Sequence, residues 1–217
     1  LENLRRLSDP EFQVDVGFVQ GGVSQGMTIA QLVSLGSVFH EPLAVFYRGT
    51  RPIDRLSGLR GKRLAIGREG SGTRALALIL LKANGMEPGG PTALLDLGGD
   101  DAAQALIAGK ADAVFLMGDS AAPPVMRKLM RTPGIKLLHF SQADAYARRF
   151  RYLSKLELPM GSIDFGKNIP AQNLALIGPT VELVAREDLH PALSDLLIDA
   201  AREVHSGASL LQRAGEF

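Results

Sequence analysis

The chain has 217 residues, of which 46% are hydrophobic and 22% charged, and its formal net charge is +1. That is globular composition with ample material for a core, and no global field draws it to nucleic acid or an anionic membrane. The absence of cysteine excludes disulfides, thiolate metal sites and cysteine nucleophiles, and no run reaches the roughly 18 apolar residues of a membrane span.

In chain order, Leu1–Leu7 reads as the end of an amphipathic helix stopped by Asp9-Pro10. A start at leucine inside a helical pattern suggests an excised or processed fragment, with any export signal or anchor lying outside it. Val14–Gln20 is a strand followed by the loop QGGVSQG, and Thr28–Val33 is a short helix. Leu35–Phe39 and Leu43–Arg48 are strands, and Arg51–Lys62 is a turn-rich connector. Strands are then expected at Arg63–Gly67, Thr92–Leu97, Ala111–Met117 and Ile135–Phe140. Helices alternate with them at Ser71–Asn84, Asp100–Ala108, Pro123–Met130 and Gln142–Phe150, with Gly85 and Gly109 as C-terminal caps and proline in the first turn of the third.

Strict alternation of strands and helices points to a parallel sheet covered on both faces. After Phe150 the chain is mostly extended until a long helix, Pro191–His205. The flanks, residues 1–50 and 153–217, each look too small to stand alone. They are expected to form one lobe around an inserted lobe of residues 51–152, with extended crossings near residue 48 and residues 152–172.

The stretch GREGSGTRALALILLKANG, Gly67–Gly85, is a glycine-rich turn feeding a helix. A nucleotide P-loop needs lysine and a hydroxyl after its last glycine, but Thr73 and Arg74 follow Gly72. A dinucleotide fingerprint fits Gly70, Gly72 and Ala75, with Asp96 near the ribose position, but Arg68-Glu69 displace the first glycine from the strand end. A third reading needs only helix-terminus physics. Unpaired amides and the helix dipole favour an anion, Ser71 or Thr73 supplies a cap or a ligand hydroxyl, Gly70 and Gly72 allow close approach, and Arg74 adds a carboxylate grip. A plain helix cap stands beside it.

RPIDRLSGLRGKRLAIGREGSGTRALALILLKANGM, together with VDVGFVQGG, ALIAGKADAVFLMGDSAAPPV and ALIGPTVELVAREDLHPAL, resembles periplasmic solute-binding receptors, in particular the TAXI branch of the TRAP transporters. The resemblance spans most of the chain in order. The usual first strand and most of the first helix are missing, and the segment after Leu153 matches loosely. The GSGT turn also recurs in effector domains of LysR-type regulators.

The resemblance implies a two-lobed type II periplasmic-binding-protein α/β fold, N-terminally truncated, each lobe a mainly parallel sheet flanked by helices. It implies a receptor that captures a small carboxylate-bearing metabolite, an amino acid or dicarboxylate, for TRAP-type permease subunits. The receptor would be periplasmic or membrane-tethered, with no cofactor, no metal and no catalysis. Ser71, Gly72 and Thr73 would hold the carboxylate beside Gly70 and Arg74. Gln20 and Gly21 would face them, Tyr47 would stack or hydrogen-bond, Asp119 would pair with an amine, and Gln172 and Asn173 would reach in from the hinge. The same residues also admit a ligand-sensing regulator domain or a nicotinamide-dependent oxidoreductase.

Other chemistry fits less well. GDSAA, Gly118–Ala122, lacks the last glycine of a nucleophile elbow and runs into Pro123-Pro124. The histidines (His40, His139, His190 and His205) have no ligand spacing, and Asp100-Asp101 suit a helix N-terminus. Aromatics at 6% and no basic stripe speak against nucleic-acid binding.

Overall fold

The computed structural model describes residues 2–23, 31–212 and 214–215, which form six α-helices and nine strands in two sheets. The larger sheet contains β3 (Ala44–Arg48), β4 (Arg63–Ala65), β5 (Ala93–Leu95), β6 (Ala113–Leu116) and β7 (Ile135–Leu137), in the order β5-β4-β6-β3-β7. The alternating segment supplies its parallel part. β4 runs parallel to β5 and β6, and β6 is buried along its whole length, as a strand covered on both faces should be.

β3 departs from the parallel expectation. It runs antiparallel to both β6 and β7, with Ala44 opposite Leu116 and Tyr47 opposite Ala113. Its C-terminal end therefore lies at the edge where β4 and β6 begin, and its N-terminal end lies at the edge where they finish.

The helices of this unit are α2 (Gly72–Ala83), α3 (Gly99–Ile107), α4 (Pro123–Arg131) and α5 (Ala143–Arg149). α2 buries Leu76, Ala77, Leu80 and Leu81, a spacing of one, three and one residues that draws a single apolar stripe along the helix. Each leucine so covered contributes roughly 1.5–3 kcal/mol of burial. Gly85 and Gly109 follow α2 and α3 at φ +69° and +71°, the left-handed geometry that stops a helix. At the start of β4, Arg63 grips Asp112 through Nε and Nη2 at 3.1 and 2.8 Å, and this pairing lowers the Asp112 pKa to about 2.

The smaller sheet is antiparallel throughout, where a mainly parallel one was expected. β1 (Val16–Gln20) and β2 (Leu32–His40) flank the C-terminal half of β9 (Leu174–Arg186), and β8 (Leu153–Leu158) pairs with its N-terminal half. Part of the expected helix at Thr28–Val33 lies outside the described residues, and Leu32 and Val33 belong to β2. α1 (Glu2–Ser8) packs Leu4 and Leu7 against Val19, Val23 and Val184. On the opposite face, α6 (Pro191–His205) sets Leu197 and Ala201 against Val38, Val181 and Leu183.

β8 and the first half of β9 share the hydrophobic cluster of the larger sheet, whereas Val181, Leu183 and Val184 do not. The chain changes cluster at two adjacent places, and again after α6, where Leu210 and Leu211 pack on the cluster of the larger sheet. Of the adjacent pair, one is the link from β2 to β3, where Glu41 N–H donates to Pro179 O and Leu43 N–H to Ile177 O, and the other is the middle of β9.

Candidate ligand cleft

The three parallel strands β4, β5 and β6 finish at one edge, and the loops that follow them build a rim. Gly67 has φ +98° and donates its N–H to Leu97 O, bringing the loops after β4 and β5 together. A Cβ on Gly98 would sit 3.3 Å from Arg68 N, so both glycines serve this close approach. Arg68 pairs with Asp101 in the first turn of α3.

The hydroxyls of the GSGT turn divide their work. Ser71 is the N-cap of α2; its Oγ accepts from Arg74 N–H at 3.2 Å and donates to Arg68 O at 2.7 Å. Thr73 Oγ1 makes no hydrogen bond among the described residues. The amides of Gly72 and Thr73, the first two of the helix, also donate to no group among them. Gly70, at φ +80°, keeps the loop open in front of these donors. Arg74 turns back rather than outward. Its Nη1 donates to Gly67 O at 3.2 Å and lies 3.6 Å from Asp96 Oδ1, which also accepts from Glu69 N–H at 2.8 Å. Asp96 and Arg74 thus brace the turn from behind.

Gln20, at the end of β1, comes to this turn from the other sheet. Its Nε2 donates to Gly72 O at 3.5 Å, and a methyl group added at Gly72 would overlap its Oε1. Gly21 N–H donates to Thr180 O at 2.8 Å. Gly21 and Gly22 lie against Tyr152, a residue sequence reasoning did not single out. A Cβ on Gly22 would fall 2.5 Å from the Tyr152 ring, and one on Gly21 2.9 Å from Tyr152 Cβ.

A second unforeseen residue is Glu41. Its Oε1 would lie 2.5 Å from a Cβ on Gly118, so its carboxyl faces the loop that holds Asp119. Burial, and secondarily the charge of Asp119, raise the Glu41 pKa. Asp119 is exposed, and its neighbour Ser120 is engaged locally, donating to Met117 O at 2.6 Å and accepting from Met117 N–H at 2.9 Å.

Besides Arg74, which braces the turn from behind, Tyr47 and Asn173 are not brought to this rim, and Gln172 lines a separate cavity with Tyr47. Tyr47 is 2% exposed, and its hydroxyl accepts from Ile53 N–H at 2.8 Å. The antiparallel direction of β3 carries it to the far edge of the sheet, where the adjacent Arg48 donates to Leu106 O and caps the end of α3. Asn173 is engaged at the base of β8 and β9, accepting from Met160 N–H at 2.8 Å and donating to Glu157 at 3.1 Å. The rim therefore gathers Gln20, Gly21, Gly70, Ser71, Gly72, Thr73 and Asp119 with Glu41 and Tyr152. It offers unpaired amides and a hydroxyl to an anion on one side and two carboxylates to a cation on the other.

A family model described as the NMT1-like family matches residues 16–192. Among solved structures, the periplasmic aliphatic sulphonate binding protein SsuA from Escherichia coli aligns at 17% identity and TM-score 0.55, over 94% of this chain and 59% of that one. An ancestral arginine-binding protein bound to arginine aligns at 15% and 0.52, over 95% and 72% of the two chains. The regulatory domain of Synechocystis PCC6803 CcmR in complex with 2-PG aligns at 15% and 0.54, over 90% and 75%. The likeness is one of fold: this chain has the two-sheet α/β architecture of periplasmic binding proteins. No curated protein matches it by sequence.

Proposed function

From the premise that the chain belongs to the NMT1-like family, we propose that it is an extracytoplasmic solute-binding receptor. It captures a small carboxylate-bearing metabolite, an amino acid or dicarboxylate, and delivers it to the permease of a TRAP-type transporter from the periplasm. The carboxylate sits on the amides of Gly72 and Thr73 and on the Thr73 hydroxyl. Asp119 and Glu41 take a ligand amine where one is present. For the lobes we draw the boundary where the chain changes hydrophobic cluster, between His40 and Leu43 and between Gly178 and Val181, in place of a division at residues 50 and 153. Binding acts through closure: a ligand touched by both lobes favours the state in which they meet. The protein does no chemistry on the ligand.

The observation that carries this reading is the meeting of Gln20, from the smaller sheet, with Gly72 at the first turn of α2. Thermal-shift and calorimetric titrations with L-glutamate, succinate and NAD test it. A carboxylate at 100 times its Kd stabilises by about 2.7 kcal/mol, a Tm rise of several degrees. A shift with NAD and none with either carboxylate would sink the receptor reading. Thr73→Ala should weaken carboxylate binding roughly tenfold with little change in Tm. Ser71→Ala should instead cost about 1 kcal/mol of stability, because its hydroxyl caps the helix.

A second reading, a ligand-sensing domain of a regulator, is favoured by the likeness to the CcmR regulatory domain. It predicts a ligand-dependent change in association with a partner domain, whereas the receptor reading predicts ligand-dependent association with membrane permease subunits.

A further inference from the structure

Tyr152 stands between α5 and β8 and is anchored by its backbone, whose carbonyl accepts from Thr180 N–H at 3.1 Å. Its ring is pressed against Gly22 and its Cβ against Gly21, where no side chain would fit. At the end of that ring the hydroxyl is buried and has no hydrogen-bond partner among the described residues. The other two tyrosines differ: Tyr47 accepts from Ile53 N–H, and Tyr146 accepts from Asn84 Nδ2. A buried hydroxyl left unpaired is costly, and folded proteins seldom keep one without a use. Burial raises the Tyr152 pKa, so at neutral pH the group is a phenol that both donates and accepts.

Tyr152 lines a cavity of about 560 Å³ together with Val19, Gln20, Gly22, Ser34 and Glu182. Gln20 belongs both to this cavity and to the contact with Gly72. The anion turn and the cavity thus adjoin through one side chain, Tyr152 is among the residues that line the cavity, and its orphan hydroxyl is covered while Gln20 keeps its present place.

We infer that Tyr152 is a specificity-determining residue whose hydroxyl hydrogen-bonds a second polar group of the ligand, beyond the carboxylate held at α2. The inference rests on the receptor reading above. It narrows the ligand class to molecules polar at both ends, and it makes Gln20 the side chain that must move aside for such a ligand to span the two positions.

The chain has three tyrosines and no tryptophan, so the difference in tyrosine emission between the wild type and Tyr152→Phe reports on this residue. Calorimetry and emission should be measured with succinate, L-glutamate and butyrate for the wild type, Tyr152→Phe and Thr73→Ala. The expected result has three parts. Succinate or L-glutamate binds the wild type more tightly than butyrate and changes its emission. Tyr152→Phe loses that emission change and about tenfold of the affinity for the doubly polar probe, with butyrate unaffected. Its ligand-free Tm stays at or above that of the wild type, because an unpaired polar group has been removed. Tight binding of a doubly polar probe that Tyr152→Phe leaves unchanged would overturn the inference while leaving the receptor reading intact. If none of the three probes binds the wild type, the carboxylate-receptor reading falls. The inference, which rests on that reading, then falls with it.

Discussion

Glu41 holds a carboxyl where burial and the neighbouring charge of Asp119 both disfavour ionisation. A pKa raised in the folded state means that the folded protein keeps this proton more tightly than the unfolded chain does. Ionised Glu41 therefore costs stability, and the cost grows as pH rises from the ordinary carboxylate value of 4.5 through the raised folded value. Below 4.5 both states are protonated and the cost vanishes. Glu41→Gln should accordingly raise Tm at pH 7, with the gain shrinking to nothing as the solution is acidified past 4.5. A Tm difference that stays constant from pH 4 to pH 8 would remove Glu41 from the list of strained carboxyls. A ligand amine placed between Glu41 and Asp119 would supply the missing counter-charge, so the same pH series with bound L-glutamate should show a smaller effect of the substitution.

At the scale of the element, α2 shows how one glycine serves two structures. Gly72 opens the helix, where alanine would be preferred over glycine by up to about 1 kcal/mol. Yet a methyl group there would occupy the place of Gln20 Oε1. Gly72→Ala should thus keep or raise Tm while expelling Gln20 from the turn, which calorimetry with succinate would register as a change in affinity. Adding Gln20→Ala should cancel that change, because the overlap has been removed from the other side. α2 itself was readable from sequence. Its cap, its apolar spacing and the glycine that ends it are local signals, and Ser71, Leu76 to Leu81 and Gly85 sit where those signals put them. The long C-terminal helix was equally plain, from Pro191 to His205. The direction of β3 was not, because Ala44–Arg48 is an apolar run that fits a buried strand in either sense, and only pairing with β6 and β7 sets its direction. That single reversal moves Tyr47 to the wrong edge and brings Glu41 to the rim. Glu41 and Tyr152 carry no spacing signature at all; their burial comes from Gly118, Gly21 and Gly22, residues far from them in sequence.

For the whole molecule, the cluster of the larger sheet and those on the smaller sheet are joined where the link from β2 to β3 passes the middle of β9, and that place is tight. A Cβ on Gly178 would lie 2.7 Å from Glu41 O and 3.0 Å from Glu41 C, backbone atoms with no rotamer to escape into. The backbones are held at this approach by Glu41 N–H donating to Pro179 O at 2.9 Å and Leu43 N–H to Ile177 O at 2.8 Å. A change in the angle between the clusters would turn about this pair of crossings, with the segment after α6, where Leu210 and Leu211 reach the larger sheet's cluster, following. Gly178→Ala should therefore act twice. Overpacking of this kind costs typically 1–3 kcal/mol, which lowers Tm by several degrees for a chain of this length. The methyl group also pushes the two crossings apart, so the contact between Gln20 and Gly72 should loosen, and the ligand-free radius of gyration in small-angle scattering should rise. Bound succinate should restore the wild-type radius, since a ligand gripped from both sides supplies closure energy the empty cleft lacks. If Gly178→Ala lowers Tm but leaves the radius the same with and without ligand, the crossing is a rigid seam, and the cleft would have to open through its loops.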